Sequence, residues 1–112
     1  MRIVYGPVPT REGWNEHKKL VKLYGAREAK LINRRIADLQ AADTLQVMWT
    51  LPGRCHELTG DRKGQLAVDL VHPHRLIFEV DMQPIPTKDD TGLNWSLVTA
   101  IRIMEVVNDY HG

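Results

Sequence analysis

The chain has 112 residues, 43% hydrophobic and 26% charged, with a formal net charge of +1. That length suits one domain, residues 1–112, and the composition excludes global disorder and a disulfide-dense scaffold. Cys55 is the one cysteine and closes no internal disulfide, no basic-then-apolar leader opens the chain, and no apolar run approaches the ~20 residues of a membrane span, so the expected setting is the cytoplasm, away from membranes.

Met1 to Tyr5 reads as a short strand, ended by Gly6, Pro7 and Pro9. Thr10 is placed to cap a helix running to about Tyr24, with Trp14, His17, Leu20, Val21 and Tyr24 on one face and Lys18, Lys19 and Lys22 on the other. Gly25 interrupts it. A second helix, about Ala26 to Ala41, turns Ala29, Ile32, Ile36 and Leu39 inward while Arg27, Lys30, Arg34 and Asp38 point elsewhere, and the pair makes an antiparallel hairpin. Asp43 or Thr44 caps a short turn through Leu45, Met48 and Trp49 that Pro52-Gly53 stops.

From Arg54 the period changes from 3.6 to 2. Arg54–Leu58, Gln65–Val71, Arg75–Val80 and Val98–Val107 read as strands, and His72-Pro73-His74 joins the second and third as antiparallel neighbours. Asp81 to Asn94, with Pro84, Pro86 and Gly92, reads as a surface loop. The expected fold class is α+β, an N-terminal helical hairpin packed on one face of a small, mainly antiparallel twisted sheet.

Charge is uneven along the chain. Residues 1–50 hold nine Lys and Arg against five Asp and Glu, and residues 51–112 hold six against nine, so the halves carry +4 and −3. Within Arg11 to Arg35, Lys18, Lys19, Lys22, Lys30 and Arg34 make a stripe able to approach a polyanion; a solvated helix surface is the plain alternative.

Three places concentrate reactive groups: Cys55-His56, the span from Arg62 to Arg75, and Asp109-Tyr110-His111. The terminal triplet joins an acid, a phenol and an imidazole, a set suited to cleaving an RNA strand, or else a polar strand end with Tyr110 anchored in the core. His56 is either a half-buried structural histidine or a proton-transfer group. Cys55, His56, His72 and His74 offer zinc-type ligands but show neither CxxC nor HxxxH spacing, so no metal or cofactor is expected. Neighbouring Cys55 and His56 on a strand point to opposite faces, which disfavours a Cys-His hydrolase. Gly60-Asp61-Arg62-Lys63-Gly64 lacks the Walker order, yet Arg62 and Lys63 suit a nucleic-acid backbone, and Arg75 could hold one phosphate bidentately.

The run from Leu51 through Cys-His-Glu-Leu-Thr-Gly-Asp-Arg-Lys-Gly to Leu70, then His72-Pro-His-Arg-Leu-Ile-Phe-Glu and the terminal Asp-Tyr-His, resembles the HigB branch of the RelE/ParE toxin superfamily over nearly the whole chain. The resemblance implies a type II toxin that cleaves messenger RNA in the ribosomal A site without a metal and is held inactive by a HigA-like antitoxin. It also implies a hetero-oligomeric complex that binds operator DNA through the antitoxin, with the 70S ribosome and mRNA as the toxin's targets. The family's histidine falls on His56, its hairpin arginine on Arg75 and its triplet on Asp109, Tyr110 and His111. Thr59 stands where characterised members can carry lysine, so that cation is lost unless Arg62 or Lys63 replaces it.

The implied chemistry assigns proton transfer to His56 and to His111 oriented by Asp109, phosphate holding to Arg75, and base stacking or orientation to Tyr110. Lys18, Lys19, Lys22, Lys30 and Arg34 would dock on ribosomal RNA. Two rival readings are a ParE-like gyrase inhibitor without catalysis, which would lack the triplet and paired histidines, and a degenerate member kept to bind its antitoxin and regulate their operon.

Overall fold

A computed structural model of the chain describes residues 1–6, 14, 16–89 and 92–108. Strand β1 (Arg2–Tyr5) leads to helices α1 (His17–Tyr24) and α2 (Ala26–Ala41), then a 3-10 turn over Leu45–Thr50. Strand β2 (His56–Glu57), a 3-10 turn over Gly60–Arg62, and strands β3 (Gln65–Asp69) and β4 (Arg75–Val80) follow. A ribbon of β5 (Thr87–Lys88) and β6 (Gly92–Leu93), a 3-10 turn over Trp95–Leu97 and strand β7 (Ala100–Val107) complete the described chain. The fold is α+β.

Gly25 sets the helical hairpin. At φ +90° it donates its N–H to Val21 O at 2.8 Å, closing α1, while its carbonyl accepts from Ala29 at 2.9 Å, opening α2. Asn33 Nδ2 then donates to His17 Nδ1 at 2.7 Å, so residues equally far from the glycine meet and the helices lie side by side. At the other end of α2 the Met1 ammonium donates to Leu39 O and Gln40 O at 3.2 and 2.9 Å, placing positive charge at the carbonyl end of the helix dipole.

The main sheet runs β1-β7-β4-β3-β2, antiparallel throughout except for the parallel pair β1 and β7. Alternation sends Leu66, Val68, Leu76, Phe78, Ile101 and Ile103 to one face, where they pack with Leu20, Ala29, Ile32, Ile36 and Leu39. Burying each Leu, Ile or Phe contributes about 1.5–3 kcal/mol, so this face holds the helices on the sheet. Among the described residues, the opposite face carries a small apolar cluster of Leu58, Ala67 and Ile77, flanked by Met104 and Val107.

Several sequence expectations need correction. The first helix does not run unbroken from Thr10 to Tyr24, because Glu16 is extended (φ −110°, ψ 110°); Thr10 itself lies outside the described residues. His17, expected on the apolar face, is exposed. Thr44 precedes the Leu45–Thr50 turn without a side-chain capping bond. The Arg54–Leu58 strand shrinks to His56–Glu57 because Arg54 adopts φ +48°. The Gln65–Val71 strand stops at Asp69, where the Leu70 N–H turns to His74 O to close the hairpin. The last strand starts at Ala100 rather than Val98, and the loop over 81–94 contains the β5–β6 ribbon.

Candidate functional site

Strand register decides which candidate residues meet. His56 stands opposite Ala67, Ala67 opposite Ile77 and Ile77 opposite Glu105; two residues further along β3, Asp69 stands opposite Arg75, and Arg75 opposite Val107. Cross-strand partners share a face, so His56, Asp69, Arg75 and Glu105 all lie on the side away from the helices. By strand spacing and rise, the His56 and Arg75 Cα positions are roughly 12 Å apart.

His56 is held by the backbone. Its Nδ1 lies 2.6 Å from Arg54 O, and since a carbonyl only accepts, Nδ1 carries the proton and Nε2 is the nitrogen left for exchange. Cys55, one residue earlier, packs towards the main core, and burial pushes its thiol up to about 12. The pair therefore faces opposite ways, and Cys55 is no nucleophile at neutral pH.

Arg75 is only 7% exposed, with Nε 3.8 Å from Asp69 Oδ1. Asp69 also receives a two-pronged bond from Arg54, Nε to Oδ2 at 2.7 Å and Nη2 to Oδ1 at 3.3 Å. This bond favours the charged guanidinium and raises the Arg54 pKa above its ordinary value. Two guanidiniums thus share the Asp69 carboxylate. Arg62 joins the same face: its Nη1 donates to Gln65 Oε1 at 2.9 Å and its Nη2 lies 3.7 Å from Glu105. Arg62 and Lys63 line an open cleft of about 770 Å³ with Gln65, Glu79 and Ile85.

The helical cations lie elsewhere. Lys18, Lys19 and Lys22 are exposed on α1, with Lys19 3.8 Å from Glu16. Lys30 and Arg34, joined by Arg27, rim a 440 Å³ pocket over Leu31, Leu70 and Val71; Arg34 also lies 3.6 Å from Asp38. These residues sit on the helical layer, behind the sheet from His56. Asp109, Tyr110 and His111 lie outside the described residues.

His74 faces the helical layer too, with Nδ1 3.8 Å from the buried Glu28. Burial raises the Glu28 pKa, against smaller lowering effects from His74, the Val71 backbone and Arg27. Residue-by-residue reading missed Arg54, Asp69, Gln65 and Glu105. Period-two alternation from Gln65 puts Asp69 on the same face as Gln65, and that was the one available signal.

No family model matches the chain, and no curated protein does. Among solved structures it is similar to a YoeB/ParE toxin from Agrobacterium tumefaciens, at 15% identity over 95% of each chain with a TM-score of 0.53. The chain shares that toxin's fold. At this identity the likeness is one of backbone architecture alone.

Proposed function

We propose that this chain is the toxin of a type II toxin-antitoxin pair, an endoribonuclease that cuts messenger RNA in the ribosomal A site. The observation that carries the reading is that His56, Arg75 and Arg62 share one sheet face, the one away from the helices, in a toxin-like fold. Val107, the register partner of Arg75, is followed in the sequence by Asp109, Tyr110 and His111, which lie outside the described residues and enter this reading through the family resemblance.

In this reading the 2′-hydroxyl attacks the adjacent phosphorus, the P–O5′ bond breaks, and a 2′,3′-cyclic phosphate forms. Neutral His56, with Nδ1–H tied to Arg54 O, accepts the 2′-proton at Nε2. His111, oriented by Asp109, returns a proton to the departing 5′-oxygen, and Tyr110 stacks on or orients the base. Arg75 and Arg62 stabilise the charge growing on the phosphate. Lys63 takes the place of the cation lost at Thr59. Lys18, Lys19, Lys22, Lys30 and Arg34 supply the salt-sensitive attraction to the 70S ribosome's RNA. A HigA-like antitoxin would hold the toxin inactive in the cytoplasm and tether the complex to operator DNA.

Inducing the chain alone, recording growth and mapping message ends tests this reading, repeated with His56→Ala, Arg75→Ala and His111→Ala. Growth arrest with new message ends, lost in all three variants, is the expected result. Trapped gyrase without new message ends would favour a ParE-like inhibitor, and normal growth of the wild type would favour a regulatory, non-toxic member.

A further inference from the structure

Arg54 is unusual in both backbone and side chain. It is the one described non-glycine residue with positive φ, at +48°, a conformation costing of order 1–3 kcal/mol that persists only where its surroundings over-determine it. The surroundings here are specific. Gly53, also left-handed at φ +113°, accepts the Asp69 N–H at 2.7 Å; Asp69 O accepts from Arg35 Nε at 2.9 Å; and the Asp69 carboxylate takes the two-pronged bond from Arg54. Asp69 is therefore fixed at its N–H, its carbonyl and its side chain, and the last of these ties Arg54 down.

The product of that arrangement is the direction of one carbonyl. The left-handed turn aims Arg54 O at His56 Nδ1, 2.6 Å away. We propose that Arg54 is a positioning residue: its clamp on Asp69 locks the left-handed backbone, and the locked carbonyl selects the His56 tautomer that leaves Nε2 unprotonated and ready to accept a proton. This inference deepens the ribonuclease reading and rests on it for its catalytic meaning, but the tautomer itself is a property of the free protein.

The test uses the whole chain labelled with nitrogen-15 at histidine. Ring nitrogen shifts in wild type should show His56 protonated at Nδ1. Arg54→Ala removes the clamp and puts a side chain that disfavours positive φ in its place, so the His56 proton should distribute between both nitrogens. Arg54→Gly loses the clamp but keeps access to the left-handed region, so it should retain more of the Nδ1–H form than Arg54→Ala. Asp69→Asn, which weakens the clamp while leaving Arg54 in place, should fall between wild type and Arg54→Ala and covers the case in which an Arg54 variant fails to fold.

In ribosome-dependent cleavage, Arg54→Ala should lower kcat by on the order of 10²-fold with KM little changed, the pattern of a misplaced reacting group. A wild-type ring protonated at Nε2, or a tautomer ratio unmoved by every folded variant, overturns the proposal. If wild type shows Nδ1–H and the variants lose it while no protein cleaves message, positioning stands and the ribonuclease reading fails.

Discussion

The two faces of the sheet use the same strands for opposite ends. On β3 and β4, Leu66, Val68, Leu76 and Phe78 point into the helical layer and are buried, while their immediate neighbours Gln65, Asp69, Arg75 and Glu79 point the other way into a charged network. The first face gains stability by excluding water; the second keeps guanidiniums beside carboxylates, which a stability-only design would avoid. Separating them lets the site carry charge without softening the core.

That division can be broken face by face. Phe78→Ala opens a void under the helices and should cost about 3–5 kcal/mol, read as a lower midpoint in chemical denaturation. His56→Ala, on the other face, should leave that midpoint nearly unchanged while message cleavage falls ~10²- to 10⁴-fold in a single-turnover assay. If His56→Ala instead destabilises the chain like a core variant, the faces are not independent.

Gly53→Ala tests the seam between the faces. A Cβ there would stand 2.6 Å from Val68 Cγ2, a helix-face side chain, and 2.9 Å from Arg35 Nε, which anchors Asp69. With φ +113° added to the clash, the expected loss is about 1–3 kcal/mol by thermal or chemical unfolding, accompanied by disturbance of His56.

The smallest effect belongs to Glu28. Its folded pKa is raised, above all by burial, so its contribution is fully present below the unfolded value near 4.5 and is lost as pH rises through the folded value. Glu28→Gln keeps the shape without the charge, so its Tm relative to wild type should be higher at about pH 7 than at about pH 4. Equal differences at both would show that Glu28 ionisation does not burden the helical layer.

Much of this layout is legible in the sequence where the signal is local. Ala26–Ala41 and Arg75–Val80 emerge with the expected bounds because a glycine hinge and a proline-marked hairpin punctuate strong periodic runs. His56 and Arg75 could be singled out, but their sharing of a face depends on register across three strands. Arg54 was hidden for a different reason: no local pattern announces that an arginine will turn left-handed when the carboxylate holding it lies 15 residues away. The parallel pairing of β1 with β7, and the register shift between Ile77 and Phe78, likewise arise only when distant segments come together.

That parallel pairing has a consequence during synthesis. Because β7 lies between β1 and β4, a nascent polypeptide that has not yet emerged past Ala100 leaves its opening strand without a neighbour and the hairpin with a bare rim. Folding of this sheet must await the β7 segment. Fragments that stop short of Ala100 should therefore be inert and prone to degradation, because neither β1 nor the β3–β4 hairpin finds its neighbour.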